Sequence, residues 1–307
     1  MANPQEKAKV APIIIAIEPF GGSLRNHMPQ LPLIFFDDAA VTRGDGIFET
    51  ILLHDGQPIN LDQHMQRFQH SARLLDLPEP SQHVWLRATE EAVRQWSALS
   101  HEDATCTWAY TRGRVSTGIP SAWLTVSALD TKIYQQREHG LSVITSPRGY
   151  SIDTTLASSL AEQQTAPWLA IGAKTLSYAA NMAAQRYAIA HGFDDVIYVD
   201  GDRVLEATTA SVITVRGKKI RTPLAKNGDI MTGTSQAAIF SYAEKHGWNC
   251  KLKELDLDYC FNKADSVWLV SSVRGPVRVK RINDKKLPKP DNETAVRTLL
   301  NTAIMQA

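Results

Sequence analysis

The sequence is poor in cysteine and has no long apolar run near its start. Its three cysteines, Cys106, Cys250 and Cys260, are an odd number with no C-x-x-C spacing, which argues against a disulfide framework and a structural zinc site. We therefore expect no metal and a reducing, cytoplasmic environment. The apolar run Ile13 to Ile17 is too short to cross a bilayer or to serve as a signal peptide, so we expect no membrane partner.

An excess of charge of either sign is also missing. The 307 residues include 33 basic and 32 acidic ones, a formal net charge of +1, which excludes the broad basic surface of a nucleic-acid-binding protein. The basic residues between Arg274 and Lys286 have no aromatic residues among them and indicate a solvated face. Any bound phosphate must therefore be held locally, by a few groups.

Several common catalytic motifs do not occur. There is no G-x-G-x-x-G after a strand, no G-x-x-x-x-G-K-[ST], no H-E-x-x-H and no G-x-S-x-G, which argues against dinucleotide, P-loop, metalloprotease and α/β-hydrolase sites. The composition is otherwise that of a globular protein, with 43% hydrophobic and 21% charged residues. A chain of this length is expected to form two domains with an interior deep enough for a site.

Hydrophobic periodicity predicts a two-domain α+β fold, not a repeated βαβ unit. We place a small N-terminal α+β domain at residues 1–130 and a larger, β-rich C-terminal domain at residues 141–307. Residues 131–140 are polar and charged, which is typical of a linker between domains.

Local patterns predict the individual elements. One helix should begin at Asp62 as its cap, bury a stripe that includes Met65 and Phe68, and end at Pro78. The other predicted helices are Ser81–Trp96, Tyr178–His191 and Thr234–His246. The predicted strands are Ile13–Ile17, Leu33–Phe36, Ile47–Leu53, Thr105–Thr111, Ala122–Ala128, Leu141–Thr145 and Trp268–Val270, with Val196–Val199, Val204–Ala207 and Ser211–Val215 as consecutive antiparallel strands.

Three single residues are candidates for chemistry. Lys174 lies between an apolar segment that includes Ile171 and a predicted helix, and a partly desolvated lysine can act as an amine nucleophile or as a proton carrier. Glu206 alternates with apolar residues and can point inward, where a carboxylate needs a partner. Arg67 flanks the apolar stripe of its helix and can bind a phosphate. Each also has an ordinary interpretation: a surface lysine, an exposed glutamate, a solvated arginine.

Other positions are suited to binding anions. Gly233-Thr234-Ser235 opens a predicted helix, where backbone N–H groups and two hydroxyls converge, although the same run is also an ordinary N-cap. Ser272 follows a predicted strand. Arg112 ends a predicted strand beside Gly113 and can bind a carboxylate, with surface charge as the alternative.

Six short motifs follow one another between Phe36 and Val279. They are Arg43-Gly44-Asp45-Gly46-Ile47-Phe48-Glu49-Thr50, His64-Met65-Gln66-Arg67-Phe68, Thr111-Arg112-Gly113, Lys174-Thr175-Leu176-Ser177-Tyr178, Val204-Leu205-Glu206-Ala207 and Gly233-Thr234-Ser235. In this order they resemble the fold-type IV family of pyridoxal 5′-phosphate (PLP) enzymes, which includes branched-chain and D-amino-acid aminotransferases and 4-amino-4-deoxychorismate lyase.

The resemblance implies a PLP cofactor and a role for each candidate. Lys174 is similar to the lysine that holds the cofactor covalently and then moves the substrate proton, and Glu206 to the carboxylate beside the pyridine nitrogen, which keeps the ring an electron sink. Tyr178 resembles the tyrosine near the ring hydroxyl. The implied phosphate site consists of Arg67, Thr234, Ser235 and Ser272. From their positions in the motifs, Arg43 and Arg112 are expected to meet a substrate carboxylate.

Within this family the fate of the substrate carbanion separates the activities. Gly44-Asp45-Gly46 and the segment Ser271 to Val277 resemble the lyase pattern, so we expect a 4-amino-4-deoxychorismate lyase that releases pyruvate and 4-aminobenzoate for folate synthesis. A class IV aminotransferase acting on branched-chain or D-amino acids is the alternative, and a non-catalytic PLP-binding protein is a third hypothesis. The resemblance also implies a homodimer and a small amino or carboxylate substrate.

Overall fold

A computed structural model describes residues 10–149, 170, 172–225 and 229–307. The described residues form two compact units: the first ends at Asp130 and also includes Lys174–Ser177, and the second includes the others. Each unit combines helices with a sheet, which confirms the predicted α+β class. The domain limits drawn from the sequence remain predictions.

The first unit is built on an antiparallel sheet, six-stranded within the described residues. Alternate residues along its strands are apolar and point to the same face of the sheet, where they form one buried cluster, as is typical of half-buried strands. In order across the sheet they are β2 (Leu24–Asn26), β1 (Ile13–Ile17), β6 (Ser121–Ala128), β5 (Ala104–Thr111), β3 (Gly46–His54) and β4 (Gln57–Pro58).

Three helices belong to the first unit among the described residues: α1 (Ala39–Arg43), α2 (Leu61–Leu74) and α3 (Gln82–Ser97). The predicted stripe on α2 is buried because its residues recur at helical spacing and face the sheet. Phe68 of α2 packs edge-on against Trp85, with ring centroids 4.8 Å apart, and against Trp108 of β5 at 5.4 Å. This aromatic group fixes α2, which bears Arg67, against the sheet.

Two predictions for the first unit are wrong. Leu33–Phe36 is not a strand; the segment follows Pro32, and Phe36 is 84% exposed, so its apolar side chains have no sheet face to cover. Asp62 does not cap α2 either. The helix begins at Leu61, after Asn60 in the left-handed conformation (φ 59°), and it ends at Leu74, before Pro78.

The second unit contains a larger mixed sheet, nine-stranded within the described residues. The predicted hairpin of β8 and β9 is confirmed, but β10 pairs with β11 and β13, so the prediction of three consecutive antiparallel strands is wrong at β10. In order the strands are β12 (Asn249–Leu252), β11 (Lys219–Thr222), β10 (Ser211–Arg216), β13 (Ser266–Ser271), β14 (Gly275–Ile282), β7 (Leu141–Pro147), β8 (Asp195–Asp200) and β9 (Arg203–Ala207), with β15 (Lys285–Lys286) beside β14.

Helices pack around this second sheet. The described ones are α4 (Thr131–His139), α5 (Ala179–Ala190), α6 (Thr234–Lys245) and α7 (Glu293–Met305), with a π-helical turn at Tyr259–Lys263. Helix α4 occupies the residues that the sequence suggested as a linker. None of the helices in the described part of the chain combines the length and apolar character that a bilayer span requires.

Candidate active site

The segment of Lys174 is attached to the first unit by its main chain. The Phe48 N–H donates to the Lys174 carbonyl at 3.0 Å, and the Lys174 N–H donates to the Ser71 hydroxyl at 3.0 Å. The Leu176 N–H donates to the Gly46 carbonyl at 2.8 Å. The lysine segment therefore lies along the edge of β3, and hydrogen bonds of its main chain hold its backbone in place.

Gly46 permits this attachment because it has no side chain. A Cβ at this position would lie 2.8 Å from the Tyr110 carbonyl oxygen and 2.8 Å from a Leu176 methyl carbon, closer than van der Waals contact. The glycine-rich motif before β3 thus allows β5 and the lysine segment to approach the same residue. The Lys174 Nζ lies 4.1 Å from the centroid of the Phe48 ring, a distance suited to a cation–π contact.

Arg67 is bound by a buried carboxylate that sequence reasoning missed. Glu49 on β3 accepts from Arg67 Nε at Oε1 and from Arg67 Nη2 at Oε2, each at 2.7 Å. His64, one helical turn before Arg67, lies with Nδ1 2.7 Å from the same Oε2. Glu49 and His64 are fully buried, and the Arg67 side chain is nearly so.

Burial and charge set the protonation of this group. Burial raises the pKa of the Glu49 carboxyl, but Arg67 and then His64 outweigh it and bring this pKa to about 2. Burial lowers the pKa of His64, and although Glu49 opposes the shift, the charges of Arg67 and Lys174 support it. At neutral pH Glu49 is thus an ionised acceptor, and the neutral His64 ring must donate to it from Nδ1.

The two arginines predicted to bind substrate lie elsewhere in the first unit. Arg43 is exposed in the last turn of α1 and donates to the Thr42 carbonyl at 2.8 Å. Arg112 donates through Nε to Asp45 at 2.6 Å and through Nη2 to the Leu75 carbonyl at 2.5 Å. Arg112 thus links the glycine-rich loop to the C-terminal end of α2. Substrate binding by either arginine remains a prediction.

The second unit brings three predicted phosphate ligands together at the start of α6. Thr234 and Ser235, both buried, open the helix after Gly233. The Ser272 hydroxyl lies 3.3 Å from that of Thr234 and 3.5 Å from that of Ser235. Three hydroxyls next to the positive end of a helix are suited to an anion.

The loop of Ser272 is fixed by two arginines. Arg274 donates to the buried carboxylate of Asp195 at 2.8 Å and to the Thr209 hydroxyl at 3.1 Å. Arg137 donates to the carbonyls of Arg274 and Val273 at 3.0 and 2.7 Å. The arginine of the segment that resembled the lyase pattern therefore stabilises the loop that presents Ser272.

Glu206 lines a cavity of about 340 Å³ in the second unit. One of its carboxylate oxygens accepts from the Met231 N–H at 3.3 Å, and Ser211, Met231 and Gln236 also line the cavity. The volume lies in the range of small-molecule sites. Tyr178, half-buried, directly precedes α5 in the same unit. Ile171, which the sequence placed before Lys174, lies outside the described residues.

Comparison with known proteins identifies the family. The Amino-transferase class IV model matches residues 46–282. The chain belongs to this family. It is 35% identical over 294 residues to the bifunctional aminodeoxychorismate lyase / D-amino acid transaminase of Mycobacterium tuberculosis, an alignment that covers 90% of this chain and 95% of that protein.

Two solved structures support the same assignment to class IV. A hypothetical aminotransferase from Mycobacterium tuberculosis in a PLP-bound form shares 34% identity and a TM-score of 0.87, covering 96% of this chain and 99% of its own. The fold IV-transaminase CpuTA1 from Curtobacterium pusillum shares 34% identity and a TM-score of 0.84, covering 96% and 97%. The predicted fold-type IV resemblance and the prediction of an enzyme are confirmed.

Class IV membership does not test the role of any single residue, so those roles remain predictions. The geometry adds two residues to the predicted candidate site. These are Glu49, which lies inside one of the family motifs, and Asp195; both are fully buried carboxylates that the sequence analysis does not predict. Glu49 lies on a strand otherwise rich in apolar residues, and His64 and Arg67 are three residues apart on one helix face. A buried acid needs such partners, so this pattern contained the signal.

Proposed function

We propose that this enzyme is a PLP-dependent 4-amino-4-deoxychorismate lyase that releases pyruvate and 4-aminobenzoate. The observation that carries the proposal is the likeness to the Mycobacterium tuberculosis protein, which bears that activity in its name and matches nearly the whole chain. The same name includes D-amino acid transaminase, so transamination of D-amino acids is the second candidate. Folate synthesis is the process in which 4-aminobenzoate would be used.

PLP is the cofactor of this enzyme, as membership of class IV indicates. Each unit, taken by itself, contains groups of the kinds that hold PLP. In the first unit these are Lys174 and Arg67, whose guanidinium is held by two hydrogen bonds to Glu49. In the second unit they are the hydroxyls of Thr234, Ser235 and Ser272 for the phosphate, and Glu206 beside a cavity of about 340 Å³ for the ring nitrogen.

Each residue has a separate task in the proposed reaction. When bound, PLP withdraws electrons from the substrate carbon that loses a proton. Lys174 would hold the cofactor through Nζ, and once the substrate amine has taken its place the freed Nζ would accept the proton from the substrate carbon. Because the backbone of Lys174 is fixed, Nζ can occupy only the positions that rotation of its own side chain allows. This restriction increases the fraction of time that Nζ spends in a reactive geometry.

Elimination and transamination differ after the proton has been removed. Elimination breaks the ether bond of the substrate, expels the enolpyruvyl group as pyruvate and leaves an aromatic amine. Transamination instead passes the amino group to an oxo-acid acceptor. A lyase therefore needs no second substrate, and this difference separates the two candidates experimentally.

The lyase assay uses the purified PLP-loaded enzyme and aminodeoxychorismate without any oxo-acid. We expect pyruvate and 4-aminobenzoate in equal amounts, measured by coupled reduction of pyruvate and by fluorescence. K174A should abolish both products, whereas K251A, which changes an exposed lysine of β12, should not. Glutamate formed from a D-amino acid and 2-oxoglutarate, without pyruvate from aminodeoxychorismate, would reject the lyase in favour of the transaminase.

We also propose that the enzyme is a cytoplasmic homodimer. Cys106 and Cys260 are buried free thiols, and a reducing compartment maintains thiols. Phe36 and Val115 are 84% and 74% exposed in the first unit, and exposed apolar groups of this kind favour a protein contact. A second copy of the chain is the partner that the family resemblance implies.

A further inference from the structure

Glu49 has the geometry of a group that fixes another side chain. Both of its oxygens accept from Arg67, each at 2.7 Å, and Oε2 also accepts from His64 at 2.7 Å. Such bidentate pairing between a guanidinium and a carboxylate sets the plane of the guanidinium as well as its position. The pair is enclosed, since Glu49 is fully buried and the Arg67 side chain is 12% exposed.

The arrangement comes from two elements in contact. His64 and Arg67 are three positions apart on α2 and so lie on one face. Glu49 lies opposite them on β3, next to Phe48, whose N–H donates to the Lys174 carbonyl. Strand β3 therefore holds the lysine segment and the arginine through consecutive residues, Phe48 and Glu49. A displacement of β3 would move both.

Glu49 uses two of the five N–H donors of Arg67, one on Nε and one on Nη2. Because the guanidinium is rigid and planar, fixing one edge also fixes the directions of the other N–H bonds. The carboxylate thus determines where Arg67 presents its positive charge.

We propose that Glu49 is a positioning residue for the cofactor phosphate and acts through Arg67. This inference rests on the proposed PLP-dependent function and assigns Glu49 no contact with substrate or cofactor. Orientation and charge make opposite predictions for its removal. A neutral residue at position 49 would raise the net positive charge around Arg67 and tighten phosphate binding, whereas loss of orientation would weaken it.

The test compares two ligands that differ in the phosphate alone. PLP and pyridoxal are titrated into apo-enzyme, and binding is followed by fluorescence quenching in wild type and E49Q. Glutamine keeps the shape of the side chain but has one carbonyl acceptor, and its amide hydrogens oppose those of Arg67. We expect PLP affinity to fall roughly tenfold or more, as for other groups that orient a ligand-binding side chain, and pyridoxal affinity to stay within about twofold.

A matched variant separates positioning from a general loss of packing. Asp38 is another fully buried carboxylate of the first unit, bound by Thr111 and Ser121 at 3.1 and 2.7 Å and not by Arg67. D38N makes the same chemical change as E49Q. It should leave the ratio of PLP to pyridoxal affinity unchanged, and an equal change in this ratio in D38N would overturn the proposal.

A double variant tests whether Glu49 acts through Arg67. Removing one member of a buried ion pair leaves the other charge uncompensated, whereas E49Q/R67M removes both charges. If Glu49 acts through Arg67, E49Q/R67M and R67M bind PLP equally. Weaker binding by the double variant, or unchanged or tighter PLP binding by E49Q, would overturn the proposal. A wild-type protein that binds neither ligand would reject the proposed function itself, and the inference with it.

Discussion

Lys174 illustrates how a single residue can be placed by its main chain. Its N–H and carbonyl are both hydrogen-bonded, to Ser71 on α2 and to Phe48 on β3. Backbone groups fixed on two sides leave the four-carbon side chain as the mobile part, which suits a lysine that must reach more than one atom. The sequence indicated the residue through a motif, but not its attachment to the edge of β3, because that pairing joins residues more than 120 positions apart.

Glu49 should also determine part of the acid stability of the first unit. Its pKa is about 2 in the folded protein against 4.5 for the ordinary group, so its contribution is fully present above about pH 4.5 and is lost as the pH falls toward 2. A difference of this size corresponds to a contribution on the order of 3 kcal/mol. The free energy of unfolding of wild type, from urea titrations, should therefore fall over this interval, and that of E49Q should fall less.

Glu91 provides the control for the acid-stability measurement. Its pKa is also lowered to about 2, by hydrogen bonds from Arg94 and then Gln95, but the Arg94 side chain is 71% exposed. Exposed ion pairs add little to stability because water and salt screen them. E91Q should thus follow the wild-type pH dependence; a loss of pH dependence in E91Q as large as that in E49Q would contradict the role of burial.

At the level of elements, amphipathic helices were predicted well and non-local pairings were not. Helices α2 and α3 were predictable because their buried residues recur at helical spacing. Helix α4 has no buried residue and so leaves no such pattern. The partners of β10 could not be inferred, since β13, which pairs with it, lies some 50 residues later and local alternation carries no information about partners.

The start of α6 depends on the absence of a side chain at Gly233. A Cβ there would lie 2.4 Å from the Ser211 hydroxyl oxygen, while its other neighbours are 3.6 Å away. Gly233 has φ −78°, so a substitution strains no backbone angle and the clash can be tested alone. G233A should lower the free energy of unfolding by roughly 1 kcal/mol, the lower end of the overpacking range, since a hydroxyl can rotate away.

Removing the Ser211 hydroxyl should rescue G233A. In S211A/G233A the nearest remaining atoms to the new methyl group are at ordinary contact distance, so urea titration should give a smaller loss than the sum of the two single variants, with S211A measured as the reference. If the losses of unfolding free energy in the two single variants simply add in the double variant, the Ser211 hydroxyl is not what the new methyl group clashes with.

At the scale of the whole molecule, the exposed apolar residues of the first unit bear on its assembly. The Val115 N–H donates to the Asp37 carbonyl at 3.0 Å, so the segments of Val115 and Phe36 lie side by side. The Arg114 guanidinium covers the Phe35 ring at 4.1 Å, which leaves an aromatic and a cationic group next to the exposed pair. Aromatic residues and arginine are the types most enriched at the centres of protein interfaces.

The proposed homodimer should therefore depend on Phe36 and Val115. A stable interface requires at least about 1,000 Å² of well-packed surface, and aspartates at both positions would place two charges in its apolar part without partners. Light scattering coupled to size exclusion should give a dimer for wild type and a monomer for F36D/V115D at equal concentration. L99D, which changes a 57% exposed leucine just after α3, should remain dimeric. A monomeric wild type would reject the proposed dimer. A monomeric L99D would show that any added surface charge disrupts assembly, and Phe36 and Val115 could then not be assigned to the interface.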